Sequence, residues 1–303
     1  MRIKTAAVIM VALFVCFGAA VPGAHSEGKC SLKTFQGTYV SFEKGSSLTI
    51  DLTKFGVLSP MDNAVPMPPA WEAPGIVPFA NIAHVTYGPD GEGEGYFWIV
   101  AGSIKMTPDP IPVHITITEM NEDCTGKFQY TLANGALIEE RFILFDNGRQ
   151  YRSVPTTLGS PGIPTLAWIG TGQRISNSSE PVEFCGSQTA HGNYLMTCDN
   201  IVKSPKFPTK AVADTFLLEM DVSMDGNYTG LLYEKLGPAS IDGRPVLGTV
   251  TVNPDCSFSA TLDIEGIGNT IEERGVFFNE GKEFYSMALG VTFSVCQGTR
   301  ISQ

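Results

Sequence analysis

The sequence has 303 residues and a formal net charge of −11, and 43% of its residues are hydrophobic. The length suffices for two domains of ordinary size. The acidic balance, without a cluster of basic residues, argues against nucleic acid and anionic membrane surfaces as partners.

The first 26 residues have the pattern of a secretory signal peptide. Two basic residues precede an uncharged apolar run over residues 5–21, and a small-residue cleavage site follows at residues 24–26. The alternative, a membrane anchor, needs roughly 20 apolar residues and no cleavage site. No later segment is apolar over such a length, so we expect a secreted or periplasmic protein without stable membrane insertion.

The rest of the chain contains one unit twice. Ile-Glu-Glu-Arg occurs at residues 138–141 and again at residues 271–274, and Gly-x-Arg-Ile-Ser occurs at residues 172–176 and 298–302. These repeats keep the same order in both halves of the chain. Each half is therefore expected to be one copy of the same fold.

Each copy consists of short β-branched and aromatic runs separated by Gly and by Asp-Gly or Asn-Gly steps, which supply the backbone angles of tight hairpin turns. About seven to eight short strands fit in each copy, and no convincing amphipathic helix is present. The sequence predicts an all-β fold of two tandem antiparallel barrels or sandwiches. Barrels are preferred because closure removes exposed sheet edges. The expected boundaries are residues 27–176 for the first barrel, 177–184 for a linker and 185–303 for the second barrel.

A proline-rich segment interrupts the first copy. Residues 56–78 contain six prolines together with Trp71, and this much proline excludes a regular helix or a central strand. Long connections are usually functional or disordered. The apolar residues of this segment favour a packed lid over the first barrel, and the second copy has only a shorter counterpart at residues 203–213.

Six cysteines remain after the predicted leader, which allow 15 pairings. Equivalent positions in the two copies should form equivalent bonds, and the two leftover cysteines should then pair with each other. The predicted disulfides are Cys30–Cys124, Cys185–Cys256 and Cys198–Cys296. A thiolate metal site is disfavoured because the chain is expected to be exported and has no Cys-x-x-Cys motif.

Two motifs of the first copy resemble motifs of a known group of proteins. Asp-Cys-Thr-Gly at residues 123–126 and, after a strand, Asp-Asn-Gly-Arg at residues 146–149 resemble a largely uncharacterised group of exported bacterial proteins. That group is similar to small calycin-like barrels of the allene oxide cyclase type. The second copy departs from the pattern, with Asn-Glu-Gly-Lys at residues 279–282. The resemblance implies an eight-stranded barrel with an internal cavity, but it supplies no catalytic residues.

Charged residues inside a predicted strand are the strongest candidates for catalytic residues. In a strand over residues 138–142, alternation places Glu139 and Arg141 on one face and Glu140 on the other. A carboxyl group in the lumen would have a raised pKa and could act as a general acid or base. Both glutamates are therefore catalytic candidates. The alternative is a structural ion pair with Arg174 or Arg300 of the last strands.

Copy one also contains all three tryptophans and two histidines that copy two lacks. Aromatic walls, a lid and histidines would suit a pocket for an apolar or aromatic molecule. His114 is therefore a third catalytic candidate, although both histidines could equally lie on the solvent face. The candidate ligand-binding residues are Tyr39, Trp71, His84, Trp98 and Arg141.

Two functions of different classes follow. The first is binding of a small hydrophobic molecule in the first barrel, and the second is an isomerase or cyclase that uses a cavity Glu or His as acid and base. A third reading is an envelope protein with filled barrels. The chain contains no Gly-x-Ser-x-Gly, phosphate-loop or His-Glu-x-x-His motif, so no cofactor and no metal are expected.

Overall fold

The computed structural model of the chain describes residues 29–47, 77–101, 110–131, 137–156, 166–178, 185–204, 207–236, 239–266, 268, 270–289 and 293–302. The predicted signal peptide and most of the predicted lid lie outside these residues. The predicted lid, residues 56–78, extends two residues too far. Its last two residues belong to strand β2, which begins at Val77, and Pro78 pairs with Ser46 of the first strand. Proline is tolerated near the start of a strand.

Sixteen strands and two very short helices make up the described chain. Barrel 1 contains α1 (Leu32–Phe35), β1 (Gly37–Ser47), β2 (Val77–Tyr87), β3 (Glu92–Ala101), β4 (Ile111–Met120), β5 (Thr125–Thr131), β6 (Leu137–Phe145), β7 (Gln150–Pro155) and β8 (Leu166–Ser176). Barrel 2 contains a 3-10 helix (Ser187–Ala190), β9 (Gly192–Ser204), β10 (Phe207–Val222), β11 (Asn227–Leu236), β12 (Ala239–Val252), β13 (Ser257–Ile264), β14 (Thr270–Phe278), β15 (Glu283–Leu289) and β16 (Phe293–Ser302).

Within each barrel the strands pair with their neighbours in chain order, all antiparallel, and the last strand pairs with the first. Both sheets are therefore closed, and neither barrel leaves a sheet edge unpaired. The prediction of two tandem eight-stranded antiparallel barrels is confirmed.

The duplication extends to the backbone of the turns. Cys124 and Cys256 both have φ of 69°, and Asp146 and Asn279 both have φ of 52°. Non-glycine residues rarely adopt this left-handed conformation. Its recurrence at equivalent positions means that the two copies share local geometry as well as topology.

Aromatic side chains fill one end of the lumen of barrel 1. Phe35 of α1 lies 4.8 Å from the rings of Tyr39 and Tyr87, 5.0 Å from Phe142 and 5.5 Å from Tyr151. Alternation along the strands directs these rings inward. The short α1 segment thus closes this end of the barrel.

An arginine from the last strand holds each closing segment in place. Arg174 donates to the carbonyl oxygens of Thr34, Gln36 and Asn147 at 3.1, 3.3 and 3.2 Å. Arg300 likewise donates to a carbonyl oxygen of the 3-10 helix in barrel 2. Both guanidinium groups therefore cap the barrel ends, whereas the ion-pair alternative placed them against the strand carboxylates.

The barrels contact each other through their outer faces. Val40, Ile82 and Trp98 point away from the lumen of barrel 1, yet they are buried in one hydrophobic cluster with residues of barrel 2. The ring of Phe42 stacks on that of Tyr285 with centroids 5.0 Å apart. The two lumens remain separate, because this contact involves outward-facing side chains.

All three predicted disulfides are confirmed. Cys30–Cys124 and Cys185–Cys256 tie the closing segment of each barrel to an equivalent hairpin turn. Cys198–Cys296 joins facing residues of β9 and β16 inside barrel 2. Disulfides persist in oxidising compartments and are rare in the cytosol, so the three bonds mark the chain as an exported protein.

Candidate functional site

Two carboxyl groups lie together inside barrel 1. Glu43 of β1 is 5% exposed and Glu140 of β6 is 0% exposed. Both occupy inward positions of their strands, as the alternating burial along β6 shows. Carboxylates are almost never buried to this extent without a partner, so their environment needs an explanation.

The pair is held by hydrogen bonds. Asn81 Nδ2 donates to Glu43 Oε2 at 2.5 Å, and the Tyr130 hydroxyl donates to Glu140 Oε1 at 3.0 Å. The carboxyl groups of Glu43 and Glu140 lie close enough for each to change the pKa of the other. One proton shared between two acids avoids placing two negative charges side by side.

Burial raises the pKa of both acids. It raises the pKa of Glu140 to about 7, and the polar groups of Ser153, Tyr130 and Trp168 beside the carboxyl group hold it back from a higher value. Burial and then the negative charge of Glu140 raise the pKa of Glu43 well above its usual value. Glu140 is therefore the first of the two to ionise, and Glu43 keeps its proton and donates it to the Glu140 carboxylate.

Several polar atoms around this pair lack a full set of partners. Ser153 faces Glu140 and lowers its pKa, but Ser153 Oγ and Glu140 Oε2 make no hydrogen bond of normal geometry among the described residues, and neither does Asn81 Oδ1. A buried polar atom left unpaired costs about 1–3 kcal/mol. These atoms can therefore accept or donate to a molecule that enters the barrel.

The pair is nearer to solvent on the side opposite α1. Asn81 and Tyr130, which bind the two carboxyl groups, are only partly buried, whereas the α1 end is closed by aromatic rings. Inward-facing apolar residues adjoin the pair: Ile99 faces Asn81 across β2 and β3, and Ile138 is the next inward position after Glu140. The site thus has a polar floor, formed by the two carboxyl groups, and apolar walls.

Barrel 2 has replaced this group. The strand pairings place Cys198 at the position of Glu43 and Cys296 at the position of Gly170, the residue that faces Glu43. The Cys198–Cys296 disulfide of barrel 2 therefore occupies the space that the Glu43 side chain takes in barrel 1. The neighbours differ as well, since Asn81, Tyr130 and Trp168 correspond to Phe216, Leu262 and Ser294.

Barrel 2 keeps only one carboxyl group at the equivalent place. Glu273 matches Glu140, and burial raises its pKa to about 7. Ser286 Oγ donates to Glu273 Oε2 at 3.3 Å. The cavity beside Glu273 has a volume of about 30 Å³ and is lined mainly by apolar residues. This is room for about one water molecule, so the Glu273 site is filled by side chains.

Comparisons with known proteins leave the function open. No protein-family model and no curated protein matches the chain. Among solved structures it is similar to transferrin binding protein B of Haemophilus parasuis, at 9% identity and a TM-score of 0.28, over 87% of this chain and 75% of that chain. It is also similar to a protein of unknown function from the DUF3598 family of Nostoc punctiforme, at 8% identity and a TM-score of 0.26, over 90% of this chain and 100% of that chain.

The predicted catalytic candidates separate in the structure. Glu140 lies in the lumen, whereas Glu139 lies on the outer face, where Thr156 Oγ1 donates to it at 2.7 Å. His114 is also on the outer face, exposed, with Nε2 2.9 Å from Glu92 Oε2. Because alternation turns their side chains to solvent, Glu139 and His114 are not part of the lumen site.

The predicted ligand-binding residues separate in the same way. Tyr39 is in the lumen, but its hydroxyl donates to the carbonyl oxygen of Gly148 at 2.5 Å in the closed end. Arg141 is exposed on the outer face, and Trp71 lies outside the described residues. Neither Tyr39 nor Arg141 therefore lies beside the Glu43–Glu140 pair.

His84 and Trp98 are buried by the second barrel and not by a ligand. The His84 ring stacks on Tyr96 with centroids 5.2 Å apart, and the Tyr96 hydroxyl donates to Asp255 of barrel 2 at 2.5 Å. Burial lowers the pKa of His84, against the opposing effect of Asp255. The prediction that His84 and Trp98 line the first pocket is corrected, because they face out of barrel 1.

Most of the site was missed from the sequence. Glu43, Asn81, Tyr130 and Ser153 are not among the residues that the sequence patterns indicate, and Trp168 is indicated only as one of the three tryptophans of the first copy. One available signal is the alignment of Gly-Thr-Tyr at residues 37–39 with Gly-Asn-Tyr at residues 192–194. It places Glu43 opposite a cysteine of the second copy and thus marks it as a position where the copies diverge.

Two further findings concern the described part of the chain. It contains no helix long and apolar enough to cross a bilayer. Nor does it bring three His, Cys, Asp or Glu side chains together in a group that could hold a metal ion.

Proposed function

We propose that barrel 1 binds a small, mainly apolar molecule whose polar group hydrogen-bonds to the Glu43–Glu140 pair. The observation that carries this proposal is the difference between the copies. Barrel 1 keeps buried acids and the polar atom Asn81 Oδ1 without a partner among the described residues. In barrel 2 the equivalent place is closed by Cys198–Cys296.

The chemistry of the pair restricts the ligand. With the Glu43 proton directed at Glu140, the site offers mainly acceptor oxygens, namely Glu140 Oε2 and Asn81 Oδ1. An anionic ligand would meet the Glu140 carboxylate in a low-dielectric environment and would be repelled. We therefore propose a neutral or cationic ligand with a donor group, such as an alcohol, a phenol or an amine, on an apolar or aromatic body. The compartment that we propose is the periplasm or the extracellular medium.

Binding is tested with N-phenyl-1-naphthylamine, a neutral apolar dye with one N–H donor. In a Trp71→Phe/Trp98→Phe background, Trp168 beside Glu140 is the remaining tryptophan and serves as the energy-transfer donor. We expect dye fluorescence excited through Trp168 and a loss of affinity of at least about tenfold in Glu43→Leu, which is about 1.4 kcal/mol.

The matched control is Glu273→Leu in barrel 2, which should leave dye affinity unchanged. A folded chain that gives no dye response, or an equal loss of affinity in Glu273→Leu and Glu43→Leu, would contradict the proposal.

A second function is favoured by the pKa of Glu140. A carboxylate that ionises at about 7 beside a protonated acid has the properties of a general base matched to neutral pH. We propose as the alternative an isomerase or cyclase in which Glu140 removes a proton from an apolar substrate and Glu43 supplies one.

This alternative is tested with 5-nitrobenzisoxazole, a general probe of carboxylate bases in apolar sites. The rate of ring opening should rise as the pH increases through about 7, because only the ionised Glu140 accepts a proton, and Glu140→Gln should abolish it. Glu139→Gln on the outer face is the control. A rate equal to that of buffer, or one that Glu140→Gln leaves intact, would exclude Glu140 as a base.

A further inference from the structure

The contact between the barrels joins two different surfaces. We call the outer surface of the first three strands of a barrel its front face and the outer surface of the last three strands its rear face. In this chain the front face of barrel 1, with Val40, Phe42 and Ile82, packs on the rear face of barrel 2, with Tyr285 and Met287. Since both barrels have both faces, one front face and one rear face remain free.

The free rear face belongs to barrel 1, and it is as apolar as its buried counterpart. In barrel 2, Val276, Met287 and Val295 are 0%, 0% and 3% exposed. The matching residues of barrel 1 are Ile143, Val154 and Ile169, which are 57%, 46% and 63% exposed. Large apolar side chains grouped on an exposed sheet face commonly mark an interaction surface.

Two arginines border this apolar group. Arg141 and Arg152 line the same groove as Ile143 and Ile169, and the groove has a volume of about 530 Å³. Lys127 and Glu119 also line it, but they form an ion pair at 3.2 Å and offset each other. The chain as a whole carries a net charge of −11, so a second copy of this acidic, partly apolar chain suits a face that presents apolar side chains and two arginines.

The free front face of barrel 2 has that chemistry. Leu195, Leu217, Leu231 and Tyr233 stand where barrel 1 has Val40, Ile82, Tyr96 and Trp98. Leu195 and Leu231 are 37% and 39% exposed. Glu219 and Asp221 are exposed on the outer side of the same strand β10, so this face is both apolar and acidic.

We propose that the chain associates head to tail with a second copy of itself, the front face of barrel 2 docking on the rear face of barrel 1. The contact repeats the one already present between the barrels, with Leu195 and Leu217 in the places of Val40 and Ile82. Ile143, Val154 and Ile169 then take the places of Val276, Met287 and Val295. A symmetric contact between two rear faces would instead oppose arginine to arginine, which is unfavourable. A head-to-tail contact does not close on itself, so it extends to further copies.

The association is weaker than the packing within the chain. In the contact between two chains, Glu219 stands in the place of His84, and Asp123 stands in the place of Asp255, the residue beside His84. These two negative charges repel each other and oppose the free energy gained from apolar packing. The barrels of one chain are also held at a high effective concentration by their connection. We expect dissociation constants in the roughly micromolar range.

Sedimentation velocity of the full exported chain, at roughly 1–100 µM, tests the proposal with two blocking variants. Ile169→Glu blocks the rear face of barrel 1, and Leu231→Glu blocks the front face of barrel 2. Both residues are exposed, so circular dichroism and melting temperature should match the wild type. We expect the wild type to form dimers and larger species with concentration, and each variant alone to remain monomeric.

An equimolar mixture of the two variants should form dimers and stop there, because only one intact front face and one intact rear face are available. A wild type that stays monomeric over the whole range would overturn the proposal. So would association of Leu231→Glu alone, which indicates a symmetric contact between rear faces, or a mixture that does not dimerise.

Discussion

The interiors of the two barrels show two uses of one scaffold. In barrel 2 the lumen is closed by Cys198–Cys296, and a cavity of only about 30 Å³ adjoins its single acid, Glu273. In barrel 1 the same level contains Glu43, Glu140 and polar atoms without partners. The fold therefore does not need Glu43, because barrel 2 closes with Cys198 in its place, whereas the position of Glu140 keeps a carboxyl group in both copies.

Buried acids lower the stability of a folded chain at neutral pH, and cross-linked cysteines raise it. Barrel 2 combines one buried acid, Glu273, with a stabilising disulfide, whereas barrel 1 holds two buried acids and no disulfide at that level among the described residues. The larger cost in stability therefore falls on barrel 1. Such a cost is typical of functional sites. This contrast supports the assignment of ligand binding to barrel 1.

The largest effect is expected from removal of the lumen disulfide. Cys198→Ala/Cys296→Ala should destabilise barrel 2 by about 4 kcal/mol, because the bond closes a long loop of the unfolded chain. Amide hydrogen exchange should speed up in β9 and β16 while the exchange in β1 and β8 stays unchanged. An equal loss of protection in both barrels would mean that they unfold as one unit.

The next effect concerns pH. Burial raises the pKa of Glu273 from about 4.5 to about 7, so the folded state holds the proton more tightly. The stabilisation is complete below about pH 4.5 and is lost as the pH rises through about 7. Glu273→Gln stays neutral throughout, so it should match the wild type at about pH 4 and be more stable by about 3 kcal/mol at about pH 8.

Denaturant unfolding at the two pH values checks this prediction. Glu272→Gln is the matched control, because the neighbouring residue is on the exposed outer face and its replacement should leave the pH dependence intact. A stability of Glu273→Gln that parallels the wild type across this range would show that Glu273 ionises normally.

The smallest effect separates the roles of the paired acids. Glu43 lies beside Glu140 and lowers its pKa. In Glu43→Leu this donor is gone, so the pKa of Glu140 should rise above 7 by about one unit. Infrared titration of the protonated carboxyl band, in a Glu273→Gln background, measures this shift. An unchanged pKa would show that the two acids are not coupled, and a lower pKa would show that Glu43 does not stabilise the Glu140 carboxylate.

The fold was predictable from the sequence because the chain is duplicated. Equivalent cysteines such as Cys124 and Cys256 selected the correct disulfides out of 15 possible sets, and alternation correctly turned Glu140 to the opposite face from Glu139. Local patterns of this kind do not depend on which strands become neighbours.

The site was only partly predictable, because it depends on register and on the packing of the barrels. Glu43 and Glu140 are nearly 100 residues apart, and only the closed sheet brings them together. His84 and Trp98 were correctly expected to be buried, but a single strand does not reveal whether its buried face meets a lumen or a second barrel. Burial on both faces of β2 explains this misassignment.

We propose that barrel 1 keeps open a site that barrel 2 has closed with a disulfide. Glu43→Cys/Gly170→Cys copies the arrangement of Cys198 and Cys296 into barrel 1 and tests the claim directly, with N-phenyl-1-naphthylamine binding as the readout. With the new bond oxidised, the folded variant should lose dye binding, and the loss should be reversed at least in part when that bond is reduced. Unchanged dye binding with the bond formed would contradict the account.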